Sequence, residues 1–209
     1  MVITIAVVSL LLSFATRGRA LVPGRLQSCA EVFYEIVANM VRESIGSGGR
    51  QYFPFIFTLF MFVLGANLLG LIPMSFTTTS HIVVTFAMAF VIFIAVTVIG
   101  FVRHGAGYLR MFFPHGAPAW TAVILVPVEL ISYLSRPGSL SVRLFANMMA
   151  GHILLKVFAG FVLLMGVAGV VPLAALIGVT ALEVLVAVLQ AYIFTILTCV
   201  YLHDAIHMH

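Results

Sequence analysis

The stretch VPVELISYLSRPGSLSVRLFANMMAGH, Val126–His152, decides how this chain is read. It lies inside a longer apolar tract, about Trp120–Leu164, yet places Glu129, Arg136, Arg143, Asn147 and His152 at helical spacing. At 100° per residue, Glu129, Arg136, Arg143 and Asn147 fall within about 40° of one another. His152 stands about half a turn round the helix from Arg143 and ~13 Å further along. An ionised side chain at bilayer depth is costly, so such residues face a bundle interior or a hydrated path. Near helix ends snorkelling is the cheaper explanation, and it covers Arg136 and Lys156. Arg143, deep in Ser139–Leu155, has a weaker excuse.

The remainder of the chain puts that stretch in a membrane. Of 209 residues, 63% are hydrophobic and 8% charged, where a globular domain carries roughly 25% charged residues. Mean hydropathy is +1.24. Too few polar side chains remain to coat a surface facing water, and there is too much apolar surface for disorder. The expected fold class is an all-α integral membrane protein, with residues 1–209 forming a single membrane domain. The net charge of +4 is made of scattered cations with no interleaved aromatics, which argues against nucleic acid as a partner. Cys29 and Cys199 read as buried thiols. His203 and His207 stand at i, i+4, but no third ligand is evident, so the segment reads as an exposed helix end and no metal is expected.

Five stretches are candidate spans: Met1–Thr16, Phe53–Ile72, His81–Val102, about Trp120–Leu164, and Val171–His203. The first covers roughly 24 Å of a ~30 Å core, so the natural chain is expected to begin further upstream. The last two are too long to stand perpendicular and must tilt, bend or run along the interface. Pro127 and Pro137 are expected to kink or break the first of these. Met165–Pro172 reads as the turn between them. Leu26–Ile45 places Leu26, Ala30, Phe33, Val37, Met40 and Val41 on one stripe, with Glu31, Glu35, Arg42 and Glu43 off it. That is an amphipathic helix on the membrane surface or against a partner, with Ser44–Arg50 as its flexible exit.

Arg17, Arg19, Arg25, Arg42 and Arg50 precede the second span, and Arg103 and Arg110 follow the third. Loops rich in cations stay cytoplasmic, so the N-terminus is expected outside and the C-terminus inside. If the two long helices form an antiparallel hairpin, residues at one depth have a constant sum of numbers. Arg143 with Gln190 gives 333 and His152 with Glu183 gives 335, and half of about 334 falls inside the proposed turn. The register places His152, Glu183 and Asn147 toward the outer half, and Glu129, Ser132, Ser135 and His203 toward the inner half. Arg143 stands between. His152 can change charge near pH 7, whereas arginine keeps its proton, so Arg143 is a fixed cation that a proton does not pass through. Two half-length paths divided by a permanent cation need a second, mobile proton carrier. Apart from Glu129 and Glu183, no carboxylate lies in any span, so the carrier belongs to another chain.

At these residues the sequence resembles subunit a of the F-type ATP synthase. The resemblance rests on the amphipathic helix, FTLFMFVLGANLLGLIP (Phe57–Pro73), Val126–His152, and the run from Glu183 to Phe194 containing QAYIF. It implies a non-catalytic stator subunit in which Arg143 faces the carboxylates of the c-ring. Asn147, His152, Glu183 and Gln190 then match the outer half-channel and its arginine-supporting glutamine, and Glu129 an acid on the cytoplasmic side. The implied partners are the c-ring and b-type peripheral-stalk subunits, with no cofactor. Some family members have an acid where this chain has His152 and a histidine where it has Glu183, which suggests one acid–imidazole couple split across the hairpin. The sequence departs from the family in Gly138, often bulkier. A self-sufficient proton channel or secondary transporter is the competing class. Such proteins usually show internal repeats, and none is found. An intramembrane enzyme would need HExxH, GxSxG or paired aspartates, which are missing.

Overall fold

The computed structural model describes residues 2–17, 24–71, 81–105, 108 and 119–206, and among these every regular element is a helix. They are α1 (Val2–Arg17), α2 (Arg25–Ile45), α3 (Phe53–Gly70), α4 (Ile82–His104), α5 (Ala119–Leu164) and α6 (Val170–Ile206), with 3₁₀ segments at Gly46–Tyr52 and Gly166–Gly169. Among the described residues, four helical segments are long and apolar enough to cross a bilayer: Gly48–Gly70, Ile82–His104, Leu125–Leu164 and Val170–Ile206. The apolar part of α1, Thr4–Phe14, is shorter than that.

α6 is the hub, touching α2, α3, α4 and α5. Its buried face is built from Ala187, Ala191, Phe194, Cys199 and Leu202. α2 turns Val37, Met40, Val41 and Ile45 inward, against a core that includes Ile56, Phe60, Val63 and Leu202. The amphipathic stripe is therefore satisfied, in its C-terminal half, by the chain's own helices. The outward surfaces of α4, α5 and α6 carry large apolar side chains, among them Val91, Val102, Ile131 and Ile177. In water such a surface would aggregate; facing acyl chains, it is at home.

Three expectations need correction. α5 runs unbroken through both prolines for 46 residues, a length of about 69 Å. A helix interrupted in lipid would expose backbone groups with no water to bond, so the ladder continues past each missing amide. Beside Pro137, the hydroxyls of Ser135 and Ser141 donate to the carbonyls of Ser132 and Gly138. The segment after α2 is an ordered 3₁₀ turn. Gly49 permits it, because a Cβ there would lie 2.8 Å from Val41 Cγ1 and 2.9 Å from Ile45 Cβ. The hairpin turn is also shorter than Met165–Pro172: it occupies Gly166–Gly169, opening on Gly166 with φ 56°. α6 then starts at Val170, so Pro172 sits in the first turn, where its missing N–H costs nothing. Cys199 is buried as expected, whereas Cys29 is exposed, because it lies on the outward face of α2.

Candidate functional site

The α5–α6 hairpin brings His152 and Glu183 together. His152 Nδ1 lies 3.8 Å from Glu183 Oε1 across the two helices. Glu183 is 7% exposed, and neither carboxylate oxygen receives a hydrogen bond among the described residues. A buried carboxylate without donors is costly. Room for it comes from α5: a Cβ on Gly151 would collide with Glu183 Oε1 and lie 2.7 Å from its Cδ and Cγ. Gly151 is a residue that reading by charge passes over. Its signal was arithmetic, since 151 and 183 sum to 334, the centre of the expected register.

Gln190 is buried two turns further along α6, at 7% exposure. Between it and Glu183, the Ala187 carbonyl accepts a hydrogen bond of 3.2 Å from Asn67 Nδ2 on α3. Asn67, 1% exposed, is a second polar residue at this level that charge counting overlooks. Asn147 is half-buried, and Arg143 is exposed on the outer face of α5. Leu140, Leu144 and Met148 turn inward at the same level. No ion pair joins Arg143 to a carboxylate among the described residues, and no hydrogen bond joins it to Gln190. Glu129 lies in α5, but its side chain falls outside the described ones.

Toward the other end of the hairpin the polar contacts differ from the expected set. Arg136 does not stand alone: its Nη1 is 3.3 Å from Asp204 Oδ2 on α6. Its guanidinium also stacks over Tyr133 and Tyr201, at 5.4 and 5.0 Å from their centroids. The Tyr133 hydroxyl shares hydrogen bonds with Tyr108 at 2.9 Å and with Thr97 at 2.7 Å. This knot ties α4, α5 and α6 together two turns from Arg143. Burial, then the bond to Tyr133, holds the Tyr108 phenol protonated well above its usual range, so it serves as a neutral hydrogen-bonding group. With Arg136 neutralised, Arg143 is the mid-span cation of α5 that lacks an acidic partner in the described chain.

Comparison with known proteins places the whole chain in one family. The profile of the ATP synthase A chain family matches residues 1–203. The chain belongs to that family, subunit a of the F-type ATP synthase. ATP synthase subunit a of Paramagnetospirillum magneticum is 63% identical over 216 residues, covering all of this chain and 87% of the relative. The Rhodospirillum rubrum subunit a is 63% identical over 210 residues with the same coverage. That of Parvibaculum lavamentivorans is 56% identical over 214 residues, covering 99% of this chain and 82% of the relative. As a subunit a, the chain is a multi-pass membrane component of the Fo sector.

Gly151→Ala is expected to force Glu183 off His152 and to destabilise the hairpin by about 1–3 kcal/mol, the usual range for overpacking. Gly160 has open space around its Cα, so Gly160→Ala serves as the control. Thermal loss of the assembled complex in mild detergent measures both. Equal shifts for the two variants would show that the Gly151 contact has no special importance.

Proposed function

We propose that this subunit a is the stationary half of a rotary proton translocator, with Arg143 facing the carboxylates of a c-ring. The observation that carries the reading is Arg143 itself, exposed mid-helix on α5 with no ion pair to a carboxylate among the described residues. A cation so placed costs free energy until an external carboxylate meets it. Beside the guanidinium an arriving rotor acid ionises; carried back into lipid, it takes up a proton again. Glu183 and His152, with Asn147, supply protons from the outer half-path, and Glu129 receives them on the inner side. Gln190 steadies the guanidinium. Because Arg143 keeps its own proton, the two half-paths stay separate and a proton crosses only by riding the rotor. The transmembrane potential, about 2.3 kcal/mol per proton per 100 mV, gives that passage its direction.

In this arrangement residues 1–209 act as one membrane domain without catalytic chemistry of their own. A b-type stalk holds them against the ring. The chain sits in a bacterial inner membrane with its N-terminus outside and its C-terminus in the cytoplasm, in keeping with the arginines at Arg25, Arg42, Arg50 and Arg103.

The competing reading, a self-sufficient channel or transporter, makes an opposite prediction. The purified chain, placed alone in vesicles with a pH gradient and a potassium diffusion potential, is expected to conduct no more protons than empty vesicles. Adding the c-ring and stalk subunits restores the flux. Proton flux through the chain alone would favour the transporter.

A further inference from the structure

Away from the hairpin, two arginines converge on an open recess. Arg50, in the 3₁₀ segment that leads into α3, and Arg103, in the last turn of α4, line a hollow of about 390 Å³ with Gly48 and Gln51. Both arginines are exposed, and among the described residues neither is ion-paired with a carboxylate. The Arg103 guanidinium lies 5.8 Å from the centroid of Tyr52, a cation–π contact beside the recess. A Cβ on Gly48 would meet nothing within 4 Å, so the mouth is unobstructed.

Deeper along the same two helices lies a second feature. α3 and α4 each pack on α6 and leave a groove of about 380 Å³ between themselves, lined by Phe55, Thr58 and Phe62 and by Ala87, Met88 and Val91. Nearly everything facing this groove is apolar. Counted at 1.5 Å per residue, its α3 lining lies ~8–18 Å from Arg50 and its α4 lining ~18–24 Å from Arg103, so the groove runs from one leaflet into the middle of a ~30 Å core, within reach of a long acyl chain. Val91 at its rim is 65% exposed.

We propose that the recess and the groove hold one anionic phospholipid, its phosphate between Arg50 and Arg103 and an acyl chain between α3 and α4. Two guanidiniums bind a phosphate through several charge-assisted hydrogen bonds, and Gln51 adds a neutral donor. Basic pockets between spanning helices at the membrane surface suit acidic headgroups for this reason. A free phosphate would use the recess but leave the groove unfilled. A partner's helix would fill the groove but need not supply an anion at its rim. The lipid satisfies both features, and the inference depends on α3 and α4 lying in a membrane, not on the role of Arg143.

The test uses the whole ATP synthase in phosphatidylcholine vesicles containing a small fraction of phosphatidylglycerol with a photoreactive acyl chain. A parallel set carries the same chain on phosphatidylcholine. After illumination, labelled peptides are mapped by mass spectrometry. Peptides covering residues 53–62 and 86–93 are expected to be labelled about tenfold more strongly by the phosphatidylglycerol probe than by its neutral counterpart. Arg50→Gln with Arg103→Gln is expected to remove that preference, while millimolar inorganic phosphate leaves it intact. Equal labelling by both probes in the wild-type complex would overturn the proposal, as would an undiminished preference in the assembled double variant. So would unlabelled peptides, the mark of a groove filled by a partner helix, or a signal abolished by inorganic phosphate, the mark of a site for the free ion.

Discussion

Arg143→Lys is expected to abolish proton-driven ATP synthesis, by at least about a hundredfold, while the complex still assembles. The substitution preserves formal charge and most of the side-chain length, so a purely structural cation would tolerate it. What is lost is chemical. A guanidinium stays protonated at any accessible pH and presents a planar fork to a carboxylate. An ammonium desolvated in a span can surrender its proton, and once neutral it no longer separates the two half-paths. Because Arg143 lies exposed on α5, away from the packed face of Leu140, Leu144 and Met148, the change breaks no ion pair to a carboxylate among the described residues. ATP synthesis by membrane vesicles after an acid–base jump measures the effect, with the amount of assembled complex determined in the same vesicles. Wild-type rates in the variant would refute the assigned role.

Exchanging the couple gives the second large effect. His152→Glu and Glu183→His are each expected to lower ATP synthesis about tenfold or more. Each single change leaves two acids or two imidazoles facing one another where the structure has one of each, 3.8 Å apart. The double exchange restores an acid opposite an imidazole. It is expected to exceed the product of the single losses by about tenfold, within the range of coupling between residues in contact. The measurement is the same acid–base jump on the four genotypes. Strictly multiplicative losses would show that the two residues act independently.

The limits of sequence reading show in particular residues. The hairpin contact between His152 and Glu183 was legible because two long apolar tracts joined by a Gly-containing turn have a depth register that integers can express. The stripe on α2 was legible because burial repeats at the helical period, and Val37, Met40 and Val41 lie where it places them. The Arg136–Asp204 pair was not legible. Asp204 stands near the end of α6 and snorkelling accounts for Arg136 without any partner, while the long arginine side chain reaches past the residue at its own depth. Tyr108, Tyr133 and Thr97 escaped notice because amphipathic side chains in an apolar span look like packing until their hydroxyls are located. Of the two outcomes expected at Pro127 and Pro137, a kink or a break, the break does not occur, because a broken turn in lipid leaves backbone groups with no water to bond. Arg143 was singled out by its depth, its helical face and the resemblance, and its exposure in the folded chain required the packing of α5 on α4 and α6 to be known.

The central claim is that the outer face of α5 at Arg143 lies against the rotor, and proximity tests it most directly. Ala146 is exposed one turn from Arg143 on that face. A cysteine there, paired with a cysteine next to the essential carboxylate of the c-ring, is expected to form a disulfide on mild oxidation of the assembled complex. Absence of that cross-link in fully assembled complexes, with cysteines on the lipid-facing side of α4 reaching the ring instead, would contradict the account.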